Sequence, residues 1–279
     1  MRSATNDDLY LQAQPFPLGL ERFKRTSEGP SNLPTLKDSN DQPLPILYRD
    51  GHYIAISKPP GLLVHRSAID AQETRFAMQL LRDQIGQRVY PVHRLDKPTS
   101  GILLFATDEA AMIRAKMLFE EKRVEKGYDA IVRGFAPDSG TIEHALRKLL
   151  DRGPKGKSDE SQEALTEFET VSRVELPFPT GNFNTTRYSY VRLFPKTGRR
   201  HQLRRHMAHI ACPIIGDTRH GDIKQNRSFR ERFGFCRLFL HARKLSFAHP
   251  IDEKTVRIEA PFWPDIEDAL ERTGLAPGS

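Results

Sequence analysis

Beyond residue 45, short apolar runs alternate with segments in which apolar residues recur every three or four positions. The runs at 52–57, 102–106 and 128–132 are bounded by turn residues and are too short for helices, so they predict strands. Two longer strands are expected at 165–174 and 186–193. Shorter strand-like pieces follow at 237–240, 245–248 and 256–258.

Helical spacing predicts a helix over 73–85, with Gly86 placed to end it, and a second helix over 108–122 that begins at Thr107 or Asp108. We expect a third helix after the turn at 195–198 and a short one over 266–272. The residues predicted to face inward are Ala110, Ile113, Met117 and Leu118 in the second helix, and Leu203, Met207, Ile210 and Ala211 in the third. Because strands and helices do not alternate regularly, the pattern favours an α+β fold.

Two segments show neither the apolar runs of strands nor the spacing of helices. Residues 1–44 combine five prolines with polar residues and predict a poorly ordered N-terminal extension. The folded domain is then expected to span residues 45–279. Residues 150–162 are charged and contain glycine, and they predict an exposed loop.

Charge is concentrated in one part of the chain. Residues 196–244 contain thirteen lysines and arginines against three acidic residues. The net charge of this window is therefore +10, compared with +7 for the whole chain. Such a window favours a surface that faces a polyanion over a generally basic protein. The run needed for a membrane helix and the apolar stretch of a secretory signal are both missing from the sequence. Two cysteines, Cys212 and Cys236, predict free thiols and a cytoplasmic location.

Asp96 is the most informative single residue. It lies in the run His-Arg-Leu-Asp-Lys-Pro-Thr-Ser-Gly at 93–101, immediately before the predicted strand at 102–106. This order puts one carboxylate at the lip of a buried strand, on a segment that a rigid sheet can direct into a cleft. An aspartate that merely caps a turn is the common alternative for such a residue.

The 93–101 run resembles the signature of RNA pseudouridine synthases of the RluA type. Three further blocks agree with it in order and separation: 58–65, with Lys-Pro-Pro-Gly; 126–134, with Lys-Gly-Tyr; and 196–222, with Thr-Gly-Arg-Arg-His-Gln-Leu-Arg. The resemblance covers residues 46–260. It implies a mixed, mainly antiparallel sheet flanked by helices and loops around a central RNA-binding cleft.

The resemblance also implies roles for individual residues. Asp96 would be the catalytic carboxylate, Arg204 its partner, and Tyr128 the residue that stacks on the target base. Leu203 would anchor the arginine's helix and Gly101 would serve the structure near the site. Residues expected to contact RNA are Arg94, Lys196, Arg199, Arg200, Arg205 and Arg227.

Finer matches, at 64–67, 82–87, 185–188 and 220–228, are similar to the branch that modifies uridine 65 in the tRNA T stem. That branch lacks an S4-type RNA-binding domain, in agreement with the unpatterned first 44 residues. The resemblance implies an enzyme that acts on tRNA without a cofactor. A monomer is the default expectation, and the sequence indicates no metal, membrane or protein partner. Three alternatives remain open: the same reaction on 23S rRNA, a catalytically silent RNA-binding protein, and a metal site at His201, His206 and His209.

Overall fold

In the computed structural model, residues 43–65, 73–149 and 157–276 are described, and their strands form one large mixed sheet and one hairpin. The strands are β1 (Ile46–Arg49), β2 (Tyr53–Lys58), β3 (Tyr90–Pro91), β4 (Ser100–Ala106), β5 (Val124–Arg133), β6 (Ser139–Glu143), β7 (Leu146–Leu149), β8 (Lys157–Gln162), β9 (Leu165–Leu176), β10 (Thr186–Pro195), β11 (Leu240–Ala248) and β12 (Thr255–Glu259). The helices are α1 (Ala77–Ile85), α2 (Glu109–Glu120), α3 (Gln202–His209), α4 (Ile223–Phe233) and α5 (Pro264–Thr273). The predicted α+β class is confirmed.

The large sheet follows the order β1-β2-β4-β11-β5-β10-β9-β6, with β12 on β11 and β3 on β4. Its pairs are antiparallel except β4 with β11, which run parallel. Strand β5 lies in the middle, and its side chains alternate between two cores. Ala130 and Val132 pack with Leu203 and Met207 of α3, whereas Ile131 faces the other side.

Most predicted strands are confirmed, but two features of the sheet differ from the expectation. The pieces at 237–240 and 245–248 belong mainly to a single strand, β11. The loop expected at 150–162 is wrong for its second half, since β8 pairs with β7 as a hairpin; residues 150–156 lie outside the described part. Glu160 and Ser161 are exposed, and such a polar hairpin strand carries no apolar alternation in its sequence.

The helices begin and end close to the expected residues. Gly86 closes α1 in the left-handed conformation, and the Asp108 side chain caps α2 by accepting a hydrogen bond from the Ala111 amide at 2.7 Å. The inward face expected for α2 is wrong for three of its four residues: Ala110, Ile113 and Met117 are exposed. The buried residues of α2 are Ala111, Ala115 and Leu118. Two alanines in that face let the helix lie close to the sheet, so the small residues rather than the large ones mark the contact.

The third helix is predicted with partial success. Leu203 and Met207 are buried as expected, whereas Ile210 is half-buried and Ala211 exposed, since α3 already ends at His209. Helix α4 is not foreseen at all. Its sequence, Ile-Lys-Gln-Asn-Arg-Ser-Phe-Arg-Glu-Arg-Phe, buries only Gln225 and Phe229, too few apolar positions to show a period.

The predicted extension over residues 1–44 lies outside the described residues except for its last two. Leu44 is buried, and its backbone exchanges two hydrogen bonds with the side chain of Gln84, at 2.7 and 3.0 Å. Both cysteines are free thiols, Cys212 buried and Cys236 exposed. Across the described ranges, no helix combines the length and apolar content needed to cross a membrane.

Gly101 lies at the junction between β4 and β11, which positions the candidate site. Its φ is +106°, and a Cβ atom there would collide with the backbone of Ala242, its partner in the parallel ladder. Ala242 in turn pairs with Tyr128 of β5. Only glycine therefore allows β4, and the Asp96 segment that precedes it, to approach β11 and β5 this closely.

We expect Gly101→Ala to destabilise the protein by about 3 kcal/mol or more, because it adds both a backbone clash and a disfavoured φ. Urea unfolding measures the change. Gly51→Ala is the matched control, since a Cβ at Gly51 meets nothing within 4 Å. Equal free energies of unfolding for the two variants would contradict the close-approach argument.

Candidate active site

A cleft of about 640 Å³ opens where the Asp96 segment, β5 and the start of α3 meet. Asp96, Tyr128 and Arg204, which are far apart in sequence, all line it. The sheet register brings the segment that ends in Gly101 next to Tyr128, since Gly101 and Tyr128 both pair with Ala242, and helix α3 adds Arg204. The grouping expected from the sequence is therefore present in the fold.

A buried lysine holds the backbone next to Asp96 in place. Lys58 donates three hydrogen bonds to backbone carbonyls, those of Pro59 (2.8 Å), Leu62 (2.9 Å) and Lys97 (3.1 Å). Three acceptors match the three N–H bonds of an ammonium group. Burial and the charge of Arg237 lower the pKa of Lys58 to about 7, while Asp96 acts in the opposite sense. Lys58 thus ties the turn that follows β2 to the residue next to Asp96.

Arg204 is shared by two carboxylates. Its Nη1 donates to Asp96 Oδ2 at 3.1 Å, and its Nε and Nη2 donate to the two oxygens of Asp217 at 2.7 and 2.8 Å. The side chains of Arg204 and Asp217 are 5% and 1% exposed, against 18% for Asp96. Asp217 therefore fixes the guanidinium in a planar, bidentate arrangement and leaves one edge of it for Asp96.

Asp217 is itself surrounded by donors. The backbone amides of Arg219 and His220 both donate to its Oδ1 at 2.9 Å. Burial acts to raise the pKa of Asp217, but the hydrogen bonds and charge of Arg204, together with these amides, hold the pKa below its ordinary value. Asp217 lies in a block quoted for the family resemblance, yet the sequence gives no sign of this role.

Tyr128 is half-buried in the cleft wall, on the face of β5 that also carries Lys126. Burial, and secondarily the negative charge of Asp96, raise the pKa of its hydroxyl above the ordinary value. The phenol therefore stays protonated at neutral pH. A neutral aromatic ring at this position offers a stacking surface and one O–H donor.

The residues expected to contact RNA fall into two groups. Arg94, Lys196, Arg199 and Arg200 line the cleft, together with two cations that the sequence did not single out, Lys122 and Lys126. Arg205 and Arg227 lie outside the cleft lining. Arg205 donates to the carbonyl of Arg147 at 3.0 Å, and Arg227 is exposed on α4.

The two residues assigned to structure near the site are both in the expected place. Leu203 is 6% exposed and packs into the core beneath α3, directly before Arg204. Gly101 allows the close approach of β4 to β11 described above.

The three histidines considered for a metal site point to separate partners. His206 bonds Thr166 and the carbonyl of His144 through its two ring nitrogens, at 2.9 and 3.0 Å. His209 stacks on His144 at 3.8 Å between ring centroids, and His201 faces the cleft. Within residues 43–65, 73–149 and 157–276, no group of three or more His, Cys, Asp or Glu side chains is arranged to hold a metal ion.

Comparison with known proteins agrees with this geometry. The sequence profile of the RNA pseudouridylate synthases matches residues 52–209. Among curated relatives, the tRNA pseudouridine synthase C of Haemophilus ducreyi is 51% identical over 219 residues, covering 78% of this chain and 90% of that protein. The protein of the same name from Haemophilus influenzae (strain ATCC 51907 / DSM 11121 / KW20 / Rd) is 50% identical over 235 residues, covering 83% and 98%.

Solved structures give the same result. Human RNA pseudouridylate synthase domain containing 1 superposes with a TM-score of 0.62 at 27% identity, covering 81% of this chain and 87% of that one. Human RNA pseudouridylate synthase domain containing 4 shares the fold, with a TM-score of 0.63 at 24% identity and coverage of 82% and 93%. With a profile match over more than half of its residues and relatives at about 50% identity, the chain belongs to the family of RNA pseudouridylate synthases, of the RluA type.

Proposed function

We propose that the chain isomerises uridine to pseudouridine in tRNA, at uridine 65 of the T stem. The observation that carries this proposal is the Asp96–Arg204 pair inside a cleft lined by cations. Relatives of about 50% identity bear the name tRNA pseudouridine synthase C, which supports tRNA as the substrate.

The reaction breaks the bond between uracil N1 and ribose C1′, turns the base, and bonds C5 to C1′. An ionised carboxylate beside the sugar can attack C1′ or remove the proton from C2′, and Asp96 is the group we assign to this step. Arg204 places a positive charge beside Asp96 and directs the carboxylate through the hydrogen bond from its Nη1. Because Asp217 already satisfies the rest of the guanidinium, Arg204 does not need to turn away from the site.

A stem uridine is paired and stacked, so it has to leave the duplex before Asp96 can reach its sugar. In our proposal Tyr128 stacks on the extruded uracil inside the cleft, and Arg94 holds the nucleotide or the gap it leaves. Lys196, Arg199 and Arg200 bind phosphates at the rim, and Arg205 and Arg227 extend the contact with the RNA beyond the cleft. This electrostatic part of binding weakens as salt rises.

We propose further that the chain works as a monomer in the cytoplasm, without cofactor or protein partner. Isomerisation changes neither the oxidation state nor the atoms of the nucleotide, so the protein's own acids and bases suffice for it. Modification of 23S rRNA and silent RNA binding are the competing outcomes of the experiment below.

Asp96→Asn is expected to lower the rate of isomerisation by at least about 10³-fold, because an amide can neither attack C1′ nor take a proton from the sugar. The measurement is single-nucleotide pseudouridine mapping on unmodified tRNA and on 23S rRNA fragments, with wild-type protein and this variant. A new pseudouridine at position 65 that depends on Asp96 is the predicted result.

Other outcomes of the same mapping separate the rivals. Modification confined to rRNA overturns the tRNA substrate and keeps the chemistry. Turnover by Asp96→Asn equal to that of wild type overturns the assignment of Asp96. If neither RNA gains a pseudouridine, a catalytically silent RNA-binding protein is the remaining alternative. Circular dichroism and tRNA binding by the variant, both expected to match the wild type, exclude misfolding as the cause.

Asp217→Asn is expected to destabilise the protein by about 3 kcal/mol and to slow isomerisation, because it leaves the buried guanidinium with one charged partner. Urea unfolding and single-turnover rates measure the two effects. Asp138→Asn is the matched control, since Asp138 pairs with Arg173 at 2.6 Å on the surface, where its side chain is 94% exposed. Similar losses in both variants would contradict the role of Asp217.

The effect of Asp217→Asn should also depend on pH. The folded-state pKa of Asp217 is depressed, so its contribution to stability is present above the ordinary carboxyl value near 4 and is lost as pH falls through the folded-state pKa. The difference in free energy of unfolding between wild type and variant is therefore expected to be constant from pH 7 to about 5 and to shrink below about 4. A difference that stays constant into acid would contradict a charged Asp217.

A further inference from the structure

His201 lines the cleft close to Asp96, and neither the fold nor the proposed reaction has yet given its side chain a task. Its Nε2 lies 3.9 Å from Asp96 Oδ1, and its side chain is 10% exposed. Its backbone adopts the left-handed conformation, with φ at +55°. That conformation is disfavoured for a histidine and needs support from its surroundings. Part of the support is visible, since the His201 carbonyl accepts the amide of Arg205 at 3.0 Å.

The imidazole of His220 contacts His201 at the ring nitrogen that does not face Asp96. His201 Nδ1 and His220 Nε2 are 2.9 Å apart, so the two rings share one hydrogen bond, with one nitrogen as donor and the other as acceptor. His220 is half-buried and follows two exposed residues, Thr218 and Arg219. The pair therefore forms a hydrogen-bonded connection between the inner wall of the cleft and a segment near solvent.

Burial, together with the nearby arginines, keeps both rings neutral. Burial lowers the pKa of His201 to about 4; Asp96 acts in the opposite sense, and Arg204, His220 and Arg200 add to the lowering. Burial also lowers the pKa of His220 to about 4, opposed by Asp217 and reinforced by Arg204, Arg219 and Arg205. Neutral imidazoles have a free lone pair at pH 7. An RNA phosphate beside the arginines offsets their charge, so the two rings become better proton acceptors when substrate is bound.

The reaction needs a proton acceptor that the assigned residues do not supply. After C5 has bonded to C1′, C5 still carries its hydrogen, which has to leave before pseudouridine is complete. Asp96 is assigned to the sugar, the Tyr128 phenol keeps its proton because burial raises its pKa, and Arg204 is a permanent cation. Lys126 also lines the cleft, but it can accept a proton only in its neutral form.

We propose that His201 is the catalytic base that removes the C5 proton, with His220 as the positioning residue that takes up charge behind it. This step rests on the proposed function. The C5–H bond breaks and its electron pair forms the C5=C6 double bond, while the π pair of the C6=N1 double bond moves to N1, which takes a proton from water. The hydroxide that remains is neutralised by the proton that reaches His220. The C5 proton goes to His201 Nε2 while the Nδ1 proton passes to His220 Nε2. His201 then carries its proton on the nitrogen that faces Asp96, the tautomer that the carboxylate favours.

The test uses His201→Asn in the full chain. Asparagine tolerates the left-handed backbone and keeps a polar side chain beside His220, but it cannot accept the proton. His209→Asn is the matched control, because it makes the same change at the far end of α3. Single-turnover rates are measured on tRNA carrying uridine or 5-deuterouridine at the target position.

We expect His201→Asn to lower the rate by about 10²-fold. Removal of the C5 proton should then limit the rate of this variant, so that 5-deuterouridine reacts more slowly than uridine. This primary isotope effect should be absent from wild type and from His209→Asn. In His201→Gly, added imidazole should restore rate and remove the isotope effect. If His201 had a purely structural role, its replacement would produce no isotope effect at C5, and imidazole would not restore the rate.

Two results with the His201 variants would overturn the proposal. One is a wild-type rate in His201→Asn, and the other is a lowered rate without an isotope effect and without rescue by imidazole in His201→Gly. If the isotope effect appears instead in Lys126→Met, then Lys126 is the base and the assignment of His201 is wrong. Failure of the proposed function is distinct from all of these, because wild type would then form no pseudouridine in the tRNA.

Discussion

The site depends on one buried guanidinium that two carboxylates share. Asp217 binds Arg204 through two short hydrogen bonds in the interior, and Asp96 takes the remaining edge at 3.1 Å from the more exposed side. A buried arginine with a single monodentate partner would be costly, and an aspartate without this hydrogen-bond donor would be free to turn away from the cleft. With both carboxylates present, the cation is balanced from within, and its second interaction serves to direct Asp96.

The sheet supplies the precision that this arrangement needs. Ala242 of β11 pairs with Gly101 on one side and with Tyr128 on the other, so the strand that follows Asp96 and the strand that carries Tyr128 flank β11 in one sheet. Lys58 fixes the backbone beside Asp96 through three carbonyls, and Leu203 anchors α3 next to Arg204. Asp96, Tyr128 and Arg204 are thus positioned by the core, whereas the cations that would meet the RNA lie around the cleft or on the surface, where they can adapt to it.

The sequence predicts those elements and site residues that a local pattern or a short motif marks, and it misses the others. Strands with apolar runs, such as β2, β4 and β5, are evident, and so are Asp96, Tyr128 and Arg204, because short motifs carry them. Helix α4 and the β7–β8 hairpin are missed because neither shows an apolar period. The outward position of Ile113 and Met117 is missed because small alanines, rather than large side chains, define the buried face of α2.

Residues that act through tertiary contacts are harder still to find. Asp217, His201 and His220 stand in quoted blocks, but what distinguishes them is seen only in the fold. Asp217 binds Arg204, His201 lies 3.9 Å from Asp96, and His220 contacts His201. Lys58 likewise looks like an ordinary surface lysine before a Pro-Pro-Gly turn until its burial and its three carbonyl partners are seen. Patterns along a chain report local structure, and these residues are defined by non-local distances.

The most direct test of the shared guanidinium is a double-mutant cycle on unfolding free energies, with Asp96→Asn, Asp217→Asn and the combined variant. If Arg204 balances both carboxylates, removing both leaves an uncompensated buried cation. The combined loss should then exceed the sum of the single losses by about 1 kcal/mol or more. Single losses that add within about 0.5 kcal/mol would show that the two carboxylates act independently, and would contradict the account.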